Sequence, residues 1–340
     1  MQVGVFDHVD KSDLPVTRYY EERLQIIEAF EKAGFISYHC AEHHLSPIGM
    51  APSPSVFLSA VAQRTRKLRF GPMIFISPLY DPLRLLQEIC MLDQMSGGRF
   101  EMGFGRGAAA AELRYFHRDP KNAPQEHEAA VKFVLDALRD GSVDVPSASG
   151  TRRMPLTIGA VQTPHPPIWY GVHSVESAER AARRGYHLVS LDKVDETRAY
   201  FDRYREVRNE TSAENGNGTG IPKLGFSNFI VVGRDGAKAR EVARRAYSRW
   251  HQNFYYTSRT HGYEITLGRP AEFDEMCAQG KAVAGTPFEV AESLKGKLEG
   301  SGANYLVGQF AFGDLSLTET LESVRLFSTE VMPAISAIQA

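Results

Sequence analysis

Short apolar runs and longer runs of helical period alternate from one end of the 340-residue chain to the other. Val3–Phe6 reads as a strand and Tyr19–Ala33 as a helix stopped at Gly34. Phe35–Ala41 is a second strand, and a short helix lies near Pro54–Gln63. Leu68–Ile76 is the third strand. Pro82–Met95 is a helix with proline in its first turn and Gly97-Gly98 behind its end. Arg99–Phe104 and the helix Gln125–Arg139 complete the first half. In the second half the pairs are Ile168–Val172 with Glu176–Arg184, His187–Leu191 with Val194–Arg208, and Leu224–Val232 with Gly236–Asn253. A helix at Phe288–Leu298 leads into Asn304–Phe310 and a last helix, Leu317–Met332. About eight βα units in this order predict one α/β domain over residues 1–340, a (β/α)₈ TIM barrel, with an open doubly wound sheet as the alternative.

Three stretches break the rhythm. Asp140–Pro166 is rich in Gly, Ser and Pro and reads as an irregular connection. Glu210–Gly220 reads as a solvated loop. Tyr255–Ala284, before the last βα unit, mixes aromatics, glycines and charges, and is expected to be a mobile lid or insertion.

Composition narrows the function classes. The formal net charge is -2, which supplies no basic field for nucleic acid. Three scattered cysteines fit a reducing compartment better than a disulfide framework. The first ten residues carry acids and lack a basic segment followed by an apolar one, so no signal peptide is read there. No apolar run reaches the roughly 20 residues of a membrane helix. A cytoplasmic protein that binds neither membrane nor nucleic acid is expected.

Three motifs could carry chemistry, each beside a plainer role. Ala41-Glu42-His43-His44 sits at the end of the second strand, the edge where a barrel places its active site. Histidine suits proton transfer near neutral pH, and Glu42 could orient it. Capping or core packing is the plainer role. Neighbours on an extended strand face opposite ways, so His43 and His44 would not share a pocket if the strand continued. No third ligand accompanies them, so no metal is expected. Gly103-Phe104-Gly105-Arg106-Gly107 lets the backbone approach a ligand closely, and Arg106 could grip phosphate. A tight barrel loop explains the same glycines. Ser174 and Ser177, after His173, sit where a helix starts, a place that caps the helix and also favours anions.

Other features read as structural. Asp93, Arg99 and Glu101 around Gly97-Gly98 are expected to form ion pairs. Thr286 and Pro287 read as a helix start. Tyr19, Tyr20 and Trp250 read as packing groups.

Taken in order, AEHH at 41–44, DPLRLLQEICMLDQMSGGRFEMGFGRG at 81–107, TPHPPIWYGVHSVESAERAARRG at 163–185, AGTPFEVAESL at 284–294 and VMPAI at 331–335 resemble the bacterial-luciferase-like flavin monooxygenases, the family of the luciferase α subunit. The resemblance implies a catalytic His43 accompanied by Glu42 and His44. It implies Arg106, Ser174 and Ser177 at a flavin phosphate with His173 beside them, and a non-prolyl cis peptide at Met73–Ile74 near the flavin ring. A second arginine, common after the fourth strand in the family, is replaced near that place by His127. The implied reaction oxidises a small organic substrate with reduced FMN and oxygen, the flavin being supplied by a separate NAD(P)H-dependent reductase. The deazaflavin F420 is the alternative cofactor. A non-catalytic flavin-binding subunit and a metal-dependent hydrolase are the alternative functions. The family also tends to pair through helices near residues 83–95. Leu83, Leu85, Leu86, Ile89, Cys90, Met91, Leu92 and Met95 wrap that helix too widely for one buried stripe, so a homodimer is expected.

Overall fold

The computed structural model describes residues 1–215, 221–263 and 268–336. Its strands are β1 Gln2–Asp7, β2 Ser37–Cys40, β3 Arg69–Pro72, β4 Phe75–Ile76, β5 Met102–Gly105, β6 Ser142–Ser147, β7 Gly150–Pro155, β8 Ile168–Val172, β9 His187–Ser190, β10 Leu224–Val232, β11 Ala282–Gly285 and β12 Tyr305–Gln309. Its helices are α1 Val16–Lys32, α2 Pro54–Arg64, α3 Pro82–Ser96, α4 Ala110–Tyr115, α5 Ala123–Asp140, α6 Val175–Arg184, α7 Val194–Asn215, α8 Gly236–Phe254, α9 Tyr256–His261, α10 Phe273–Ala278, α11 Pro287–Ser301, α12 Leu317–Leu326 and α13 Met332–Ser336.

One parallel sheet runs β3-β2-β1-β12-β10-β9-β8-β5-β4, with β11 added beside the far half of β10. The ends meet where Phe70 of β3 bridges Phe100 before β5, through Phe70 N–H to Arg99 O at 3.2 Å and Glu101 N–H to Phe70 O at 2.8 Å. That contact closes a (β/α)₈ barrel.

Strand alternation sorts the side chains into two sets. Val3, Val5, Tyr38, Phe70, Phe104, Leu188 and Phe226 join the core against the helices. Phe6, Ala41, Met73, Trp169, Val189, Tyr305 and Val307 fill the barrel itself. The lower end of the barrel is polar. Glu101 accepts from Trp169 Nε1 at 2.6 Å and Arg69 Nε at 2.6 Å, and meets His39 Nε2 at 3.0 Å and Lys223 Nζ at 3.5 Å. Burial opposes its charge, yet these partners hold its carboxyl well below the usual range.

Several expectations change. Glu101 forms ion pairs, but Asp93 instead accepts from the Val161 and Gln162 backbone at 2.7 and 2.9 Å. Arg99 donates to the Ala62 and Leu68 carbonyls at 2.8 and 2.7 Å. The run Leu68–Ile76 is two strands, interrupted at the cis Met73–Ile74 peptide. Asp140–Pro166 holds the antiparallel hairpin β6–β7. Its strands are mostly exposed, so no apolar alternation marked them. α7 continues through Asn215 into the stretch read as a loop, whose residues 216–220 lie outside the described residues. Of the segment read as a lid, 264–267 also lie outside the described residues, and its end, Ala282–Gly285, is strand β11. The small residues of β11 carry no strand signal alone, and pairing to β10 supplies its order. Among the described residues no helix is long and apolar enough to cross a membrane.

Candidate active site

The C-terminal ends of neighbouring strands set the predicted motifs, and with them His8, side by side around the barrel mouth. In sheet order they are His8 after β1, Glu42-His43-His44 after β2, Met73–Ile74 between β3 and β4, Arg106 after β5, and His173–Ser177 after β8.

β2 ends at Cys40, so 41–44 is loop and strand alternation no longer separates the two histidines. Each takes its own carboxylate. His44 Nε2 lies 2.8 Å from Glu42 Oε1, and its ring meets Phe116 edge-on at 4.6 Å. Glu42 is buried and also accepts from Ile76 N–H at 2.9 Å and Tyr80 O–H at 3.0 Å, which ties the loop to β4. His43 Nδ1 lies 3.1 Å from Glu112 Oε1, which accepts from His44 N–H at 2.9 Å too. Gly49 presses on His43, since a Cβ there would come 2.6 Å from the His43 Cβ. Burial disfavours the imidazolium of His43, but Glu112 outweighs it and the pKa is raised. Burial likewise opposes ionisation of Glu112, and His43 reverses it, so that pKa is lowered.

His8 was missed in the sequence, as was Glu112. His8 stacks on His43 at 6.2 Å between ring centroids, 13° from parallel. Trp250 Nε1 donates to His8 Nδ1 at 3.4 Å, so Nε2 carries the proton. Burial first, and His43 second, push its pKa well down, so His8 is neutral. Strand β1 running into an acidic FDHVD was a usable signal for His8. Glu112, on α4 just beyond the glycine-rich turn, had none without the fold.

The next sector can take a flat ligand with an anionic tail. Ile74 lies over Gly105, where a Cβ would come 2.6 Å from its Cδ1. At Gly171 of β8 a Cβ would find nothing within 4 Å, so that wall is open. Arg106 is exposed and, among the described residues, makes no hydrogen bond or ion pair. Ser174 caps the ten-residue α6: its Oγ accepts from Ser177 N–H at 3.2 Å. Ser177 Oγ accepts from Ser174 N–H at 3.1 Å and donates to Ser174 O at 2.8 Å. Its proton is therefore used in the cap, whereas that of Ser174 goes to the exposed Glu176 carboxylate, a contact that an incoming anion can displace. Glu176 already shows the anion preference of this helix start, its pKa lowered by its own backbone N–H and the Ser174 hydroxyl. His173 Nδ1 pairs with Asp192 at 2.9 Å. His127 is buried, with Nδ1 2.8 Å from Ser77 Oγ, so it does not take the place of an exposed arginine.

A pocket opens beside His8, walled by Phe229, Trp250, Phe254 and Met276 and carrying Arg269, Lys281, Ser227 and Gln309. Trp250 packs in the core, as expected, and also forms this wall. An exposed arginine, a capped helix start, an open flat wall and a carboxylate-backed histidine thus share one barrel edge. The residues fit a phosphorylated flavin.

A family model described as luciferase-like monooxygenase matches residues 1–305. The uncharacterized protein y4wF of Sinorhizobium fredii is 38% identical over 333 residues, covering 98% of this chain and 96% of that one. The oxygenating constituent of 3,6-diketocamphane monooxygenase from Pseudomonas putida, solved in complex with FMN, superimposes with a TM-score of 0.81 at 17% identity, over 98% of both chains. The coenzyme F420-dependent tetrahydromethanopterin reductase of Methanopyrus kandleri superimposes with a TM-score of 0.69 at 17% identity, over 98% of this chain and 99% of that one. The chain belongs to the luciferase-like monooxygenase family.

Proposed function

We propose that this protein is a flavin-dependent monooxygenase that oxidises a small organic substrate with reduced FMN and molecular oxygen. The observation that carries the reading is the Glu112–His43 pair at the barrel mouth, next to the glycine-lined wall at the cis Met73–Ile74 step. Bound reduced FMN would supply the electrons for oxygen activation. Arg106, the Ser174 hydroxyl and the start of α6 would hold its phosphate, with Ser177 and His173 shaping that turn. His43, with its pKa raised, would give or take a proton at Nε2 while Glu112 holds Nδ1. His44 and Glu42 would position the loop. Trp250 and Phe254 would exclude water from the pocket. Reduced flavin would come from a separate NAD(P)H-dependent reductase, and the enzyme would work as a homodimer.

F420 is kept as the second cofactor reading because the buried His127 leaves Arg106 without a second cation from that place. Titration with FMN, FAD and F420, followed by visible spectra, tests the reading. Tight FMN binding and oxygen consumption on mixing with chemically reduced FMN are expected. Preference for F420, or FMN binding with no effect on substrate oxidation, would overturn it in favour of the deazaflavin or the non-catalytic subunit.

A further inference from the structure

Two cations, Lys281 and Arg269, face the pocket beside His8, and among the described residues neither makes a direct ion pair. Lys281 is only 8% exposed, and among the described residues its side chain makes no hydrogen bond or ion pair. The Arg269 guanidinium donates once, from Nη1 to the Leu191 carbonyl at 3.2 Å. Asp192 acts on both cations and Glu196 on Lys281, each without direct contact, and the Asp192 carboxylate is engaged by His173 at 2.9 Å. Gln309 ties the pocket floor together: its Nε2 donates to Ser227 Oγ at 3.0 Å, and its side chain also pairs with His8. Trp250, Phe254 and Met276 make the remaining walls apolar.

Withdrawing a cation from water without a direct ion pair is costly, and placing two in one cavity adds repulsion. A fold retains such an arrangement most readily where an anion enters and relieves it. Resting on the monooxygenase reading above, we propose that the substrate is an amphiphilic anion whose carboxylate or sulfonate head is bound between Lys281 and Arg269 and whose apolar body lies along Trp250 and Phe254. Trp250 packs on His8 at 5.2 Å between ring centroids, and His8 stacks on His43, so the apolar wall leads toward the proposed proton donor.

The test uses the full chain with straight-chain alkyl carboxylates, alkyl sulfonates and alcohols of matched length. Binding is followed by calorimetry and by the fluorescence of Trp250 in the pocket wall. The acids are expected to bind more tightly than the alcohols, and the tighter of the two acid series identifies the head group. Lys281→Met and Arg269→Met should each weaken the acids by roughly ten- to a hundredfold, as for loss of a charge-assisted contact, and leave the alcohols unchanged. Lys281→Arg should restore much of the acid affinity. Acids and alcohols binding alike, or no acid binding at millimolar concentration, would overturn the proposal. So would variants that lose FMN but not riboflavin, since the cations would then serve the flavin phosphate. A parallel FMN titration separates the two readings. FMN binding without acid binding sinks the anion site alone, and acid binding without FMN binding sinks the flavin reading alone.

Discussion

Glu112 and His43 stand 69 residues apart in the chain and meet at 3.1 Å, Oε1 to Nδ1. The same oxygen accepts the His44 N–H, so the carboxylate fixes both the ring and the loop that carries it. Replacing Glu112 with Gln removes the charge and keeps the shape. The His43 pKa, raised at present, is then expected to fall, because only the more distant Glu42 still opposes burial. A raised histidine stabilises the fold fully below its unfolded pKa near 6.5 and loses that contribution as pH rises through the folded value. The lowered Glu112 contributes above about 4.5 and loses its share as pH falls through its folded value. The stability lost in Glu112→Gln should therefore be greatest between these limits, about 1–3 kcal/mol for a charge-assisted contact that is partly open to solvent. Histidine NMR titration and denaturant melts against pH check both statements. A His43 titration that does not move would disconnect the pair.

His43→Ala should lower turnover by about 10²–10⁴-fold, the usual worth of general acid–base catalysis, with FMN affinity nearly intact. His44→Ala should do less, because Glu42 keeps its contacts to Ile76 and Tyr80. Oxygen-dependent turnover and flavin titration on both variants decide between them. Equal losses would remove the distinction drawn between the two histidines.

Arg106→Ala should weaken FMN by roughly ten- to a hundredfold and riboflavin little, because only FMN carries a phosphate for the guanidinium to meet. Equal losses for the two ligands would place Arg106 away from the phosphate.

On α3, Leu85, Leu86, Ile89, Cys90 and Leu92 are buried, while Met91 and Met95 remain 48% and 45% exposed. Val56 of α2 is 71% exposed, and its neighbour Ser55 bonds Glu88 of α3 at 2.6 Å. Exposed apolar groups on packed helices should be covered by a second copy. Light scattering should show a dimer, and Val56→Asp with Met91→Asp should yield a folded monomer. A monomeric wild-type mass at micromolar concentration would remove the proposal.

Segment 255–284 is expected to close over bound flavin or substrate. Its described part is tied to α8 through Tyr247 O–H to Pro270 O at 2.7 Å, and within itself through Arg269 N–H to Tyr255 Oη at 2.7 Å. Trypsin cleavage in this segment should slow when FMN and substrate are present. Unchanged cleavage would count against closure.

The alternation of apolar runs and helical periods was enough to read the barrel, because both periods are local consequences of burying one face of each element. Chain order also sufficed to set Glu42, His43, Met73, Arg106 and Ser174 at one edge, since parallel strands in a barrel all end there. The caps at Ser174 and Thr286 were readable for the same reason: each depends on residues within one turn. Tertiary structure alone decided the partners. Glu112 reaches His43 only through the packing of α4 over the mouth, and His8 becomes neutral only because Trp250 and His43 enclose it. Lys281 and Arg269 come from different turns of an irregular segment and meet only because β11 pairs with β10. Ser177 looked free to bind a ligand until the cap geometry showed where its proton goes. Spacing along a chain reports local period, whereas charge, burial and hydrogen-bond partners are set by neighbours distant in sequence.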